Sequence, residues 1–81
     1  SDGAMECVVR LPDGRRCTRL FLQEHPAKHL FDFVDLQGAV DPHTYRLVAQ
    51  FPRRVLEADT SRTFSEAGFT GAQEVFFIES L

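Results

Sequence analysis

Only one segment of this chain carries helical spacing. At Ala27, Leu30, Phe31, Phe33 and Val34 apolar residues recur every three to four positions, the period of an amphipathic helix face. Pro26 stands where a first helical turn begins, a position at which its missing N–H costs nothing. Gly38, after Leu36-Gln37, stands where helices commonly end. The remaining regular segments are strand-like, with a period-two alternation clearest at Met5–Leu11 and Tyr45–Phe51. One helix among several strands has a simple solution, in which the helix covers one face of a single sheet. The 81 residues, 43% apolar with eight Phe, suffice for one compact core of this kind.

The strands follow from the alternation. Met5 to Leu11 places Cys7, Val9 and Leu11 on one face and Val8 and Arg10 on the other. Leu11-Pro12-Asp13-Gly14-Arg15 is a turn, with Pro presetting φ and Gly14 accepting a positive one. Cys17 to Leu22 returns from it. Leu20, Phe21 and Leu22 cannot all face one core, so Cys17 and Phe21 are predicted inward, with Leu20 and Leu22 partly covered. Tyr45, Leu47, Ala49 and Phe51 recur every second residue in a third strand, and Val55-Leu56 forms a short fourth. Thr63-Phe64-Ser65-Glu66 has capping-box spacing, and Gly68 closes a turn or so of helix. Glu74 to Glu79 is a last strand whose continuous apolar run suits a central position. The expected fold is α+β, in the order ββαββ(short helix)β: a β-grasp roll with a mixed five-stranded sheet and one main helix. Residues 1–5 read as flanking sequence and 6–81 as the domain.

Net charge is −3, which argues against a phosphate-binding surface and therefore against nucleic acid. Eight of the nine basic residues are Arg, Lys28 being the exception. Arginine suits planar, bidentate recognition and points to a protein partner, although Arg15, Arg16, Arg19 and Arg62 are expected on a solvated face. Cys7 and Cys17 read as buried, reduced thiols. Their spacing does not match a zinc site, and Pro26 separates His25 from His29 with no acid or thiol partner, so no metal or cofactor is expected. No apolar run approaches the roughly 20 residues of a membrane helix. No nucleophile–base or paired-carboxylate spacing suggests catalysis.

The stretch Gln50-Phe51-Pro52-Arg53-Arg54-Val55-Leu56 interrupts the third strand. Alternation alone carries Phe51 inward with Tyr45, Leu47 and Ala49. Yet VRLPDGRR at the first hairpin, a helix ending in DFV, YRLVAQFPRRVL, TFSEAGF and VFFIE together resemble the ubiquitin regulatory X, or UBX, domain over nearly the whole chain. Phe64 and Phe69 stand where that family more often has Leu. The resemblance implies a ubiquitin-like fold and a non-catalytic adaptor that docks onto the N-terminal domain of valosin-containing protein, a hexameric AAA+ ATPase. It implies a partner surface of Arg10, Phe51, Pro52 and Arg53, with Arg54 adjacent and not assigned a contact. It leaves the Phe51-Pro52 isomer open and implies a monomeric module acting inside the cell, in the cytosol, with the nucleus or the cytosolic face of the endoplasmic reticulum as alternatives set by other parts of the parent protein. The two views of Phe51 meet in a compromise: part-buried at the strand end, with an edge free for a partner. The alternative is a ubiquitin-like interaction or modifier domain with another protein partner. The sequence as given ends VFFIESL without a glycine pair, which speaks against conjugation.

Overall fold

The computed structural model describes residues 3–81. The elements are β1 (Ala4–Arg10), β2 (Arg16–Leu22), α1 (Lys28–Asp35), β3 (Tyr45–Ala49), β4 (Arg54–Leu56) and β5 (Gln73–Ser80). They form one five-stranded sheet in the order β2-β1-β5-β3-β4. β5 pairs parallel with β1, and every other pairing is antiparallel. This is the ubiquitin-like β-grasp that the pattern of periods predicts.

The first hairpin closes through Gly14 N–H to Leu11 O (3.1 Å) and Leu11 N–H to Arg15 O (2.8 Å). Gly14 lies at φ +91°, a conformation that side chains with a Cβ rarely adopt. Asp13 accepts the Arg15 backbone N–H (3.0 Å) and its Nε (2.7 Å), which fixes the turn further.

α1 lies against the sheet through Leu30, Phe31 and Val34, all buried. They meet Met5, Cys7, Val9, Phe21, Tyr45, Leu47 and Phe76 in one core. Phe64 and Phe69 are fully buried within it, each contributing about 1.5–3 kcal/mol by its removal from water. Phe64 packs on Phe21 at 5.3 Å and Phe69 on Phe76 at 5.0 Å between ring centroids. The Tyr45 hydroxyl donates to Asp35 Oδ1 (2.7 Å), tying β3 to the end of the helix. Burial, then this bond, raises the Tyr45 pKa. Burial likewise pushes the Cys7 thiol up to about 12.

Three expectations change in detail, and the short helix expected after Thr63 is a hydrogen-bonded turn instead, its capping box intact. Met5, set aside as flanking, is fully buried in β1 because its register partner is Phe21 on the inward face. That register also settles the Leu-Phe-Leu run: Phe21 is buried, while Leu20 stands 66% exposed on the open face, more than partly covered. Cys17, near the edge of the sheet, is only half-buried, and Cys7 and Cys17 are both free. The Thr63 capping box forms in both directions, with Thr63 N–H to Glu66 Oε1 (2.9 Å) and Glu66 N–H to Thr63 Oγ1 (3.1 Å). It holds a single turn, which closes with Phe69 N–H bonding back to Phe64 O (2.9 Å).

Two substitutions two strand-repeats apart have opposite expected outcomes in denaturant unfolding. Leu47→Ala, in the core, lowers stability by about 2–5 kcal/mol, whereas the exposed Phe51→Ala stays within about 0.5 kcal/mol of the parent.

Candidate docking surface

β3 and β4 are paired in register Ala49↔Arg54, so the strands are joined by the four residues between them, Gln50 to Arg53. Alternation stops at Ala49 because the strand does. Phe51 takes a left-handed φ of +59°, and its bond to Pro52 is cis. The residue is 96% exposed. The part-buried Phe51 expected from the sequence is therefore corrected: an inward position requires that the strand continue, and here the chain turns away. A fully exposed Phe in a left-handed conformation costs roughly 1–2 kcal/mol in backbone energy alone. Such outliers concentrate at functional sites.

The open face of the sheet leads up to this tip. Register places Arg10 of β1 beside Phe77 of β5, Phe77 beside Val48 of β3, and Val48 beside Val55 of β4. The Arg10 guanidinium lies over the Phe77 ring, 5.7 Å from its centroid, within range of a cation–π attraction. Phe77 and Val75 in turn line an open cavity of about 380 Å³ together with Gln50, Phe51 and Arg54. Phe77 and Val75 are each 38% exposed. Thus Arg10 and Phe51, 41 positions apart, border one apolar patch through Phe77.

Arg53 is held at the same face by charge. Its Nη2 lies 3.1 Å from Glu79 Oε2, and Arg46 Nη1 lies 3.2 Å from Glu79 Oε1. Arg46 continues the network to Glu57 at 3.2 Å. These side chains are substantially exposed, so each pair contributes little to stability. Their value is orientation: Glu79 presents both oxygens and fixes where Arg53 stands. The hydrogen bond from Arg53, then that from Arg46, lowers the Glu79 pKa from its ordinary value of 4.5.

Phe77 and Val75 carried a signal in the sequence. An unbroken Val75-Phe76-Phe77 run on a strand presents apolar residues to both faces, and only one face has a helix. Glu79 had no such signal, because its arginine partners are set by tertiary arrangement.

A UBX domain model matches residues 3–79. Plant UBX domain-containing protein 13 of Arabidopsis thaliana is 42% identical over 79 residues; the match covers 96% of this chain and 15% of that protein. The chain therefore spans only a small part of this curated relative. The solution structure of another protein's UBX domain superposes with a TM-score of 0.81 at 26% identity, covering all of this chain and 72% of that one. A designed protein based on ubiquitin shares the fold with a TM-score of 0.74 at 20% identity, covering 99% of this chain and 92% of its own.

The Glu79 tie responds to acid in a definite direction. Its folded-state pKa lies below the unfolded value, so its contribution is complete above the ordinary glutamate value of 4.5 and is lost as pH falls through the lowered one. In a carboxyl-carbon NMR titration the Glu79 midpoint falls below 4.5, and Arg53→Ala moves it upward.

Proposed function

This chain belongs to the UBX domain family, and we propose that it docks onto the N-terminal domain of valosin-containing protein through Arg10, Phe51, Pro52 and Arg53. UBX domains are non-catalytic ubiquitin-like modules that generally bind this ATPase. The observation that carries the reading is the tip itself. A Phe that is 96% exposed has no use in the domain's own core, yet it stands at the rim of an apolar patch flanked by arginines.

Each residue then has a physical role. Phe51 is the anchor that enters a groove of the partner, the kind of aromatic that dominates an interface. Pro52 restricts the tip and lowers the entropy lost on docking. Arg53 approaches the partner already oriented by Glu79. Arg10, which has no carboxylate within ion-pair distance among the described residues, is free to pair with an acceptor across the interface. The patch formed by Phe77 and Val75 supplies apolar area between these anchors. The domain recruits the ATPase, and other parts of the parent protein select what is delivered for ubiquitin-dependent extraction or degradation. One domain on one site gives an affinity of about micromolar, raised by multivalency on a hexamer.

Titration of the domain against the isolated N domain tests this. The parent saturates. Phe51→Ala, folded, binds at least about 30-fold more weakly, the equivalent of a 2 kcal/mol anchor, and Arg53→Ala also loses affinity. Undiminished binding by Phe51→Ala contradicts the assignment.

A further inference from the structure

Arg54 follows the exposed tip in sequence and borders the cavity beside it, but its guanidinium turns back onto the domain's own chain. It shares the core-side register of β4 with Leu56, opposite Ala49, while Val55 between them faces the open side. Its side chain is only 22% exposed, and that of its ion partner Glu74 only 11%. The guanidinium sits over the Phe69 ring, 4.8 Å from the centroid, and Phe69 is fully buried. Arg54 is thus less exposed than Arg53, at 22% against 53%, and is engaged within the domain.

The donors of this guanidinium are instead directed at backbone. Nε donates to Pro52 O (3.1 Å) and Nη2 to Gln50 O (3.5 Å). These are the carbonyls on either side of Phe51. Nη1 donates to Gly68 O (3.3 Å) and to Glu74 Oε2 (3.3 Å). Glu74 Oε2 also accepts the Gly71 N–H (3.3 Å), so the acid is itself fixed by the turn before β5. One rigid fork thus joins the tip, the Gly68 turn and β5.

We propose that Arg54 is the positioning residue of the tip: anchored on Glu74 and Phe69, it holds the Gln50 and Pro52 carbonyls and thereby keeps Phe51 in its left-handed, outward conformation. A left-handed Phe persists only where its surroundings over-determine it, and no other side chain bonds to the tip carbonyls among the described residues. The geometry requires arginine. A guanidinium presents five N–H donors in a fixed plane, whereas a lysine ammonium beside Glu74 keeps the charge but cannot serve Pro52, Gln50 and Gly68 together.

What the tip does once positioned rests on the docking reading above, but the positioning can be measured without a partner. In Arg54→Lys, ¹⁵N relaxation of the Phe51 and Arg53 amides changes from rigid values near 0.85 to below about 0.6 in order parameter, while β1 and β5 amides do not change. A merely structural role lowers the unfolding midpoint and leaves native-state order at the tip intact, and that result overturns the proposal. If Arg54→Lys does not fold, Glu74→Gln removes the charge anchor with little change of shape, and the same amides loosen. Rigid tip amides there count against the proposal equally.

A double-mutant cycle against the isolated N domain of valosin-containing protein then links position to binding. A tip that occupies the docked geometry a tenth of the time binds about tenfold more weakly. Arg54→Lys therefore costs about tenfold in the parent but less than about twofold in the Phe51→Ala background, since it acts through Phe51. Additive losses in the two backgrounds mean that Arg54 acts independently of Phe51, which refutes the proposal. Absence of binding by the parent domain refutes the docking reading alone, and the relaxation result still decides the role of Arg54.

Discussion

The pairing of β5 with both β1 and β3 is the constraint on which the rest of this domain depends. Without it the chain is a β1–β2 hairpin at one end and a β3–β4 hairpin at the other, and an isolated two-stranded ribbon is marginal in water. β5 inserts between them, parallel to one and antiparallel to the other. That insertion sends Phe76 into the core and Phe77 to the open face. It also sets Arg10 beside Phe77, Glu79 beside Arg46 and Arg53, and Glu74 under Arg54. The last strand in the chain is therefore the element that assembles both the scaffold and the candidate surface.

Features that depend on neighbours in sequence were legible in it. The Pro-Asp-Gly turn, the helix between Pro26 and Gly38, the capping box at Thr63 and the alternation of β1 and β3 all have local causes. Phe51 shows where that reasoning stops. Alternation is a property of a strand, and it assigns a face to Phe51 only if the strand reaches that far; the motif resemblance was the better guide to an outward ring. Met5 and Leu20 illustrate a second limit. Both depend on the register between β1 and β2, and a shift of one residue exchanges the faces of every side chain in a strand. Arg54, Glu74 and Glu79 illustrate a third. Their ion-pair partners lie 20 or more positions away, and charged residues have no periodicity to reveal such pairings.

The arginines divide by burial into two kinds of work. Arg54 is enclosed and directs its donors at its own chain, where losing the partner of a buried charge is costly. Arg53 and Arg46 are at the surface, where a shared carboxylate orients them without contributing much to stability. Arg10 lies on an aromatic face, with its donors open to solvent or a partner. A net charge of −3 conceals this arrangement. The acids that make the chain negative include those that hold its arginines in place.

In the proposed docking mode the tip and the open face beside it, and no other surface, meet the partner. An amide correlation spectrum of the ¹⁵N-labelled domain, recorded as unlabelled N domain of valosin-containing protein is added, tests it most directly. Shifts are expected to concentrate at Arg10, at Gln50, Phe51 and Arg53, and at Val75 to Phe77, while α1 is unaffected. Shifts centred on α1 or β2, with the tip unmoved, would contradict it.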